Sequence, residues 1–124
     1  MIRAGVPRRA VHMACEQDTL AMSQPVWNEL VAVLHRPRLA RFVNPGQRDA
    51  VLELLRSVCV WFEPQQRIRD CRDAKDNKYL ELALTAVAAI IVSSDDDLLV
   101  MHPWRGIRIA RPAEYLSRKD AAEA

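Results

Sequence analysis

Carboxylates open and close one stretch of this chain in a pattern that suits a divalent cation. Asp76 stands at the start of a predicted amphipathic helix, and Asp95 and Asp97 follow the next predicted strand. The start of a crossover helix and the end of the next strand lie at the same edge of a parallel sheet, where open α/β sheets bind ligands. Hard cations such as Mg²⁺ and Mn²⁺ take oxygen ligands. The pattern therefore predicts a metal site, to which Ser93 on the same strand end adds a hydroxyl.

A structural explanation competes with the metal site at several of these positions. Asp76 and Asp95 each precede a helix, and aspartate is a favoured N-cap that contributes about 1 kcal/mol. Caps seldom come as a run of three acids, whose repulsion a cation would relieve, so we favour the metal site. Glu29, beside the apolar stripe of an earlier helix, fits a functional role and a surface role equally. Asp70 and Asp73 lie among arginines and lysines and are predicted to be solvated.

Composition bounds the class of protein. Half of the 124 residues are hydrophobic and 27% are charged, which predicts one compact domain over residues 1–118 with a frayed tail at 119–124. A net charge of +2 neither requires nor excludes a nucleic-acid partner. The three cysteines are widely spaced and odd in number, which argues against a disulfide framework or a zinc site and favours the cytoplasm. No apolar run reaches the ~20 residues of a membrane span, and we expect no membrane association.

Helical and strand patterns alternate along the chain. Apolar spacing and caps predict helices over residues 7–17, 23–36, 45–56, 76–88, 95–101 and 112–116, with a helical turn at 38–42. Short apolar runs predict strands at 19–23, 58–62, 89–93 and 107–109. This alternation predicts a three-layer α/β/α sandwich with a mainly parallel central sheet.

Several blocks of the sequence resemble the PIN-domain family. They are RDAKDNKYLELA at 72–83, IVSSDDDLL at 91–99, GIRIARPAEYL at 106–116, and, upstream, SQPVWNEL at 23–30 and LHRP at 34–37. The resemblance covers nearly the whole chain. It is closest to the toxin components of bacterial toxin–antitoxin pairs, the VapC-like branch.

The resemblance implies a Mg²⁺- or Mn²⁺-dependent endoribonuclease whose acids gather at the carboxyl edge of the sheet. Glu29 matches the family's helix glutamate, and Asp76 matches the aspartate that opens the long helix. Asp95 matches the aspartate after the next strand, Asp97 its auxiliary acid, and Ser93 the usual threonine or serine. The implied partners are an RNA substrate, a cognate antitoxin and a second copy of the chain in a dimer.

The chain departs from the family at its start. The family begins with a central strand that ends in an aspartate, typically Leu-Asp-Thr-Asn, whereas residues 1–7 resemble the loop that follows this strand. We therefore expect an upstream start or a truncated form, weakened metal binding, and a gap that a second chain or a rearranged segment would fill. A PIN-like protein without catalysis, binding an antitoxin or itself, is the alternative. A receiver-like phosphoacceptor is disfavoured, because IRIARP at 107–112 supplies no lysine after the late strand.

Overall fold

The computed structural model describes residues 8–37 and 44–123. In this part of the chain, helices alternate with short strands, as the sequence predicts for an α/β fold. The elements are α1 (Arg8–Gln17), β1 (Ala21–Met22), α2 (Gln24–Leu34), α3 (Pro45–Val58), β2 (Val60–Trp61), a 3₁₀ turn (Ala74–Asp76), α4 (Asn77–Thr85), β3 (Ile90–Val92), α5 (Asp96–Leu99), β4 (Arg108–Ala110) and α6 (Pro112–Glu123). The helical turn predicted at 38–42 lies outside the described residues.

Two helices begin at the side-chain caps that the sequence predicts. The N–H of Val26 donates to Ser23 Oγ at 3.4 Å, at the start of α2. At α3 the N–H of Gln47 donates to Asn44 Oδ1 at 2.8 Å, and the Gln47 side chain accepts from the N–H of Asn44. This reciprocal pair is a capping box, which satisfies backbone donors that the first helical turn leaves without partners.

The strands form two separate parallel pairs. β1 pairs with β2, placing Ala21 opposite Val60, and β3 pairs with β4, placing Ile91 opposite Ile109. Within the described ranges no ladder joins β1 to β3. The parallel pairing agrees with the sequence-based prediction, and the residues that the structure describes do not join the two pairs into one sheet.

Helix α4 holds the two strand pairs together. It contacts both β1 and β3, and its residues Tyr79, Leu80 and Leu82 are fully buried. Helices α1 and α6 contact each other, and the Tyr115 hydroxyl of α6 donates to Asp18 Oδ2 just beyond α1, at 2.5 Å. The core therefore runs across both pairs although their strands are not joined.

The end of α4 fixes the start of β3. The N–H of Ala88 donates to the carbonyl of Ala83 at 2.9 Å, and between them Val87 adopts a left-handed conformation with φ of 52°. This is the Schellman pattern of helix termination. It ends α4 at Thr85, before the predicted residue 88, and turns the chain toward β3.

Helix α6 is longer than expected. Residues 119–123, predicted to be part of a frayed tail, are helical. After Pro112 the segment contains neither glycine nor proline, so nothing in its composition stops the helix. In the part of the chain that the structure describes, no helix has both the length and the apolar character needed to cross a bilayer.

Candidate functional site

Three aspartates from two loops converge beside the start of α4. Asp73, Asp76 and Asp97 each place one carboxylate oxygen within 4.8 Å of the others. Asp73 precedes the 3₁₀ turn and accepts a hydrogen bond from the N–H of Lys75 at 3.0 Å. Asp97 lies in the first turn of α5. The two loops thus bring together acids separated by more than twenty positions in the sequence.

Asp76 is the buried member of this group. Asp76 is only 1% exposed, and its side chain makes no capping hydrogen bond to α4. The capping role considered for Asp76 is therefore wrong. Burying a carboxylate is unfavourable unless it is paired, hydrogen-bonded or bound to a metal, so a buried acid beside two further carboxylates suits a cation-binding site.

Side chains and backbone amides interlock in the turn that follows β3. Ser93 is fully buried, and its Oγ accepts the N–H of Asp95 at 3.0 Å. Asp95 Oδ1 in turn accepts the N–H of Asp97 at 2.9 Å and caps α5. The structural role proposed for Asp95 is thus present, and Ser93 acts through the backbone of Asp95. Asp95 is not within the group of three carboxylates defined above.

The thiol of Cys71 lies among these acids. Its pKa is raised first by burial and further by the negative charges of Asp76, Asp97 and Asp95, while a hydrogen bond with the backbone of Asp73 lowers it. The Cys71 Sγ donates to the carbonyl oxygen of Asp97 at 3.5 Å. All the predicted aspartates therefore lie within electrostatic reach of a single side chain.

Glu29 reaches the same end of α4 from α2. Its Oε1 lies 3.3 Å from Lys78 Nζ, which also donates to the carbonyl oxygen of Lys75 at 2.6 Å. Its Oε2 is buried without a hydrogen-bond partner among the described residues. Glu29 is outside the group of three aspartates. One of its carboxylate oxygens pairs with Lys78 of α4, and the other accepts no hydrogen bond from a described residue.

Arginine side chains already offset part of the negative charge of the aspartates at 95–97. Arg72 Nη2 lies 2.8 Å from Asp97 Oδ1, and Arg111 Nη2 lies 3.3 Å from Asp96 Oδ1. The Asp96 side chain is 80% exposed. The middle acid of the run at 95–97 is thus a solvated surface residue, whereas its neighbours take part in the turn and the cluster.

Sequence reasoning missed Asp73. Asp70 is exposed, as predicted, and its carboxylate also accepts a hydrogen bond from Trp104 Nε1 at 2.9 Å and pairs with Arg105. Asp73 was predicted to be solvated, yet it joins Asp76. Their i, i+3 spacing was the available signal, because a 3₁₀ turn places such residues on one side.

The donor set fits a hard divalent cation. Carboxylate oxygens from Asp73, Asp76 and Asp97 supply it, and neither histidine nor cysteine belongs to the group. Oxygen-only ligation is typical of Mg²⁺ and Mn²⁺ and unlike the nitrogen and sulfur ligands of zinc sites. The arrangement is thus chemically suited to a divalent cation held by oxygen atoms.

Comparisons with known proteins agree with this chemistry. A family model described as the PIN domain matches residues 3–97. The uncharacterized protein MJ1680 of Methanocaldococcus jannaschii is 27% identical over 102 residues, which cover 79% of this chain and 64% of that protein. The chain therefore spans less than two thirds of that relative's length. No solved structure matches it. Because the family match covers more than half of the sequence, this chain belongs to the PIN-domain family.

Proposed function

We propose that this chain is a metal-dependent endoribonuclease of the toxin type, which hydrolyses phosphodiester bonds in RNA. Its fold would be a three-layer α/β/α sandwich. Membership of the PIN-domain family, whose members are generally nucleases, supports the reaction class. The observation that carries the metal dependence is the group formed by Asp73, Asp76 and Asp97 within 4.8 Å.

The cation we propose is Mg²⁺ or Mn²⁺. Asp76, Asp97 and Asp73 are the residues that would hold it directly, while Asp95, whose Oδ1 caps α5, would contribute its negative charge beside them, and Glu29 would supply a further carboxylate. When bound, such an ion stabilises negative charge on a phosphate and lowers the pKa of water.

Residues around the acids have supporting roles in this proposal. Ser93 keeps the backbone of Asp95 in place through the hydrogen bond at 3.0 Å. Arg72, whose side chain is more than half exposed beside Asp97, offers a guanidinium to an RNA phosphate. Lys78 keeps a positive charge next to Glu29. Carboxylates that hold a cation and basic side chains that contact the RNA backbone would thus surround one phosphate.

We propose an RNA substrate, a cognate antitoxin that restrains the activity, and a homodimer. The cytoplasm is the proposed location. Cys15, Cys59 and Cys71 are all free thiols, which is compatible with a reducing compartment.

Cleavage of labelled RNA by the full chain tests the proposal. With Mg²⁺ or Mn²⁺, Asp76→Asn and Asp95→Asn are expected to lower the rate on the order of 100-fold or more, because each removes a charge that would hold the cation. The matched control is Asp96→Asn, the neighbouring exposed acid, which should retain the rate. Circular dichroism of each variant verifies the fold. Equal activity in wild type and Asp76→Asn would reject the assignment.

A binding module without catalysis is the second candidate, and it is favoured by the separation of the two strand pairs within the described part of the chain. Under this alternative, the acids remain near one another but hold a cation too weakly for turnover. Calorimetric titration with Mn²⁺ separates the two functions. Absence of binding at millimolar Mn²⁺, together with absence of cleavage, would favour the module over the enzyme.

A further inference from the structure

Lys78 links the helix that carries Glu29 to the turn that carries Asp76. Its Nζ lies 3.3 Å from Glu29 Oε1 on α2, and it donates to the carbonyl oxygen of Lys75 at 2.6 Å. Lys75 directly precedes Asp76 in the 3₁₀ turn before α4. One ammonium group therefore connects the Glu29 carboxylate to the backbone that positions the buried aspartate.

The ion pair of Lys78 and Glu29 is shielded from solvent. The two side chains are 20% and 22% exposed, whereas those of Arg72 and Asp97 are 64% and 36% exposed. Water and salt screen an exposed ion pair strongly and a partly buried pair much less. Lys78 therefore neutralises Glu29 under conditions in which salt weakens the pairing of Arg72 with Asp97.

Several contacts keep the ammonium group of Lys78 in this position. Helix α2, which carries Glu29, packs against α4, which carries Lys78. Besides the carboxylate and the carbonyl oxygen, the ring of Tyr79 lies near the ammonium, with its centroid 5.6 Å from Nζ. Ammonium groups within about 6 Å of an aromatic centroid are attracted to the ring. The charge is thus held by a carboxylate, a carbonyl and a ring.

The carboxylates near the start of α4 consequently differ in what neutralises them. Asp73, Asp76 and Asp97 converge within 4.8 Å, which suits one divalent cation. Glu29 lies outside this group and pairs with Lys78. A Mg²⁺ ion binds a carboxylate oxygen at about 2.0–2.1 Å. An ion at that distance from Glu29 Oε1 would be repelled by the ammonium already beside the same oxygen.

We propose that Lys78 is a built-in counter-ion of Glu29 and that it limits the site to one divalent cation. The ammonium takes the position beside Glu29 that a second Mg²⁺ or Mn²⁺ ion would otherwise occupy. Two-metal sites place their ions about 3.5–4 Å apart, and here a side chain of the protein supplies the second positive charge. The inference rests on the metal site of the proposed function, but not on the cleavage of RNA.

The number of Mn²⁺ ions bound per chain tests this inference. It is measured by calorimetric titration of the full chain at millimolar Mn²⁺, without RNA. Lys78→Met removes the ammonium but keeps an unbranched side chain that suits a helix. We expect this variant to bind one more Mn²⁺ ion per chain than the wild type. Lys78→Arg keeps the positive charge and should bind as many ions as the wild type.

Two controls make the test specific to Glu29. Lys75→Met removes the same charge from an exposed lysine of the neighbouring turn and should leave the number of ions unchanged. Adding Glu29→Gln to Lys78→Met should abolish the additional ion, whereas Glu29→Gln alone should not change the number bound. Circular dichroism verifies the fold of each variant. Lys78→Gln, which lacks the charge but keeps a hydrogen-bond donor, replaces Lys78→Met if that variant does not fold.

The proposal is overturned if the uncharged variants bind no more Mn²⁺ than the wild type, or if the additional ion remains after Glu29→Gln. It is also overturned if the wild type already binds an ion that Glu29→Gln removes. RNA cleavage by a wild type whose uncharged variants gain no ion would reject the counter-ion and leave the nuclease standing. A Glu29-dependent gain without cleavage by any of these chains would support the counter-ion and count against the nuclease.

Discussion

The two strand pairs have the same parallel ladder but very different surroundings. In β3, Ile91 and Val92 are 0% and 1% exposed, whereas in β2, Val60 and Trp61 are 45% and 40% exposed. The buried strand β3 leads into the turn that carries Asp95 and Asp97. The exposed strand β2 contributes no acid to the group of three. The difference indicates that the position of Asp97 depends on a strand that is fixed by its burial in the core.

The largest expected effect is on stability, and it tests directly whether β3 and β2 differ in their surroundings. Ile91→Ala removes a fully buried side chain from β3 and should lower the free energy of unfolding by about 2–5 kcal/mol. Val60→Ala, at the exposed position of β2, should lower it by less than about 1 kcal/mol. Urea unfolding of both variants measures the difference. Similar losses in the two strands would mean that the surroundings of the pairs are equivalent.

A smaller effect is expected on the affinity of the group of three aspartates for Mn²⁺. Arg72→Gln removes the cation that lies 2.8 Å from Asp97, so Mn²⁺ meets less competition for that carboxylate. The exposed ion pair is weak, and the gain should be about two- to fivefold in affinity by calorimetry. Arg69→Gln, an exposed arginine of the same loop, is the matched control and should change little. Weaker Mn²⁺ binding by Arg72→Gln would contradict this competition.

The smallest effect concerns a contact that links the two halves. Burial, the hydrogen bond to Asp18 and the charge of Asp18 raise the pKa of Tyr115 above its ordinary value. The folded state therefore holds this proton more tightly than the unfolded state, where the pKa is about 10. The contribution to stability is complete below about pH 10 and is lost as the pH rises toward the folded-state value.

Urea unfolding at about pH 8 and about pH 11 measures this loss. Tyr115→Phe has no ionisable hydroxyl, so its stability should decline less steeply across that range than that of the wild type. An equal decline in the two proteins would assign the alkaline sensitivity to other groups, such as Cys59, whose pKa burial raises to about 11.

Local signals in the sequence were sufficient for most elements. The caps Ser23 and Asn44 act within one turn of the chain, and both helices begin where they predict. The gathering of Asp76 and Asp97 followed from the order of elements alone. Two expectations failed: the capping role of Asp76, which is buried beside Asp97 from a distant loop, and the solvated position of Asp73, whose i, i+3 spacing to Asp76 was a local signal that was missed.

The basic residues that pair with the acids could not be predicted from the sequence either. Nothing in the spacing of Glu29 indicates that Lys78 lies 3.3 Å away, because that distance depends on how α2 packs against α4. The length of α6 was missed for a different reason. Residues 119–123 contain four strong helix formers, two alanines, a lysine and a glutamate, so the helix that begins at Pro112 extends through them.

The interlocked turn after β3 has an entropic consequence. Ser93 Oγ and Asp95 Oδ1 each hold a backbone amide in place, so hydrogen bonds within the chain itself order the backbone of this loop. Ordering a free residue costs about 1–2 kcal/mol of conformational entropy. Folding meets this requirement in advance, so a cation arriving at Asp97 would find a preorganised loop and would not have to immobilise it.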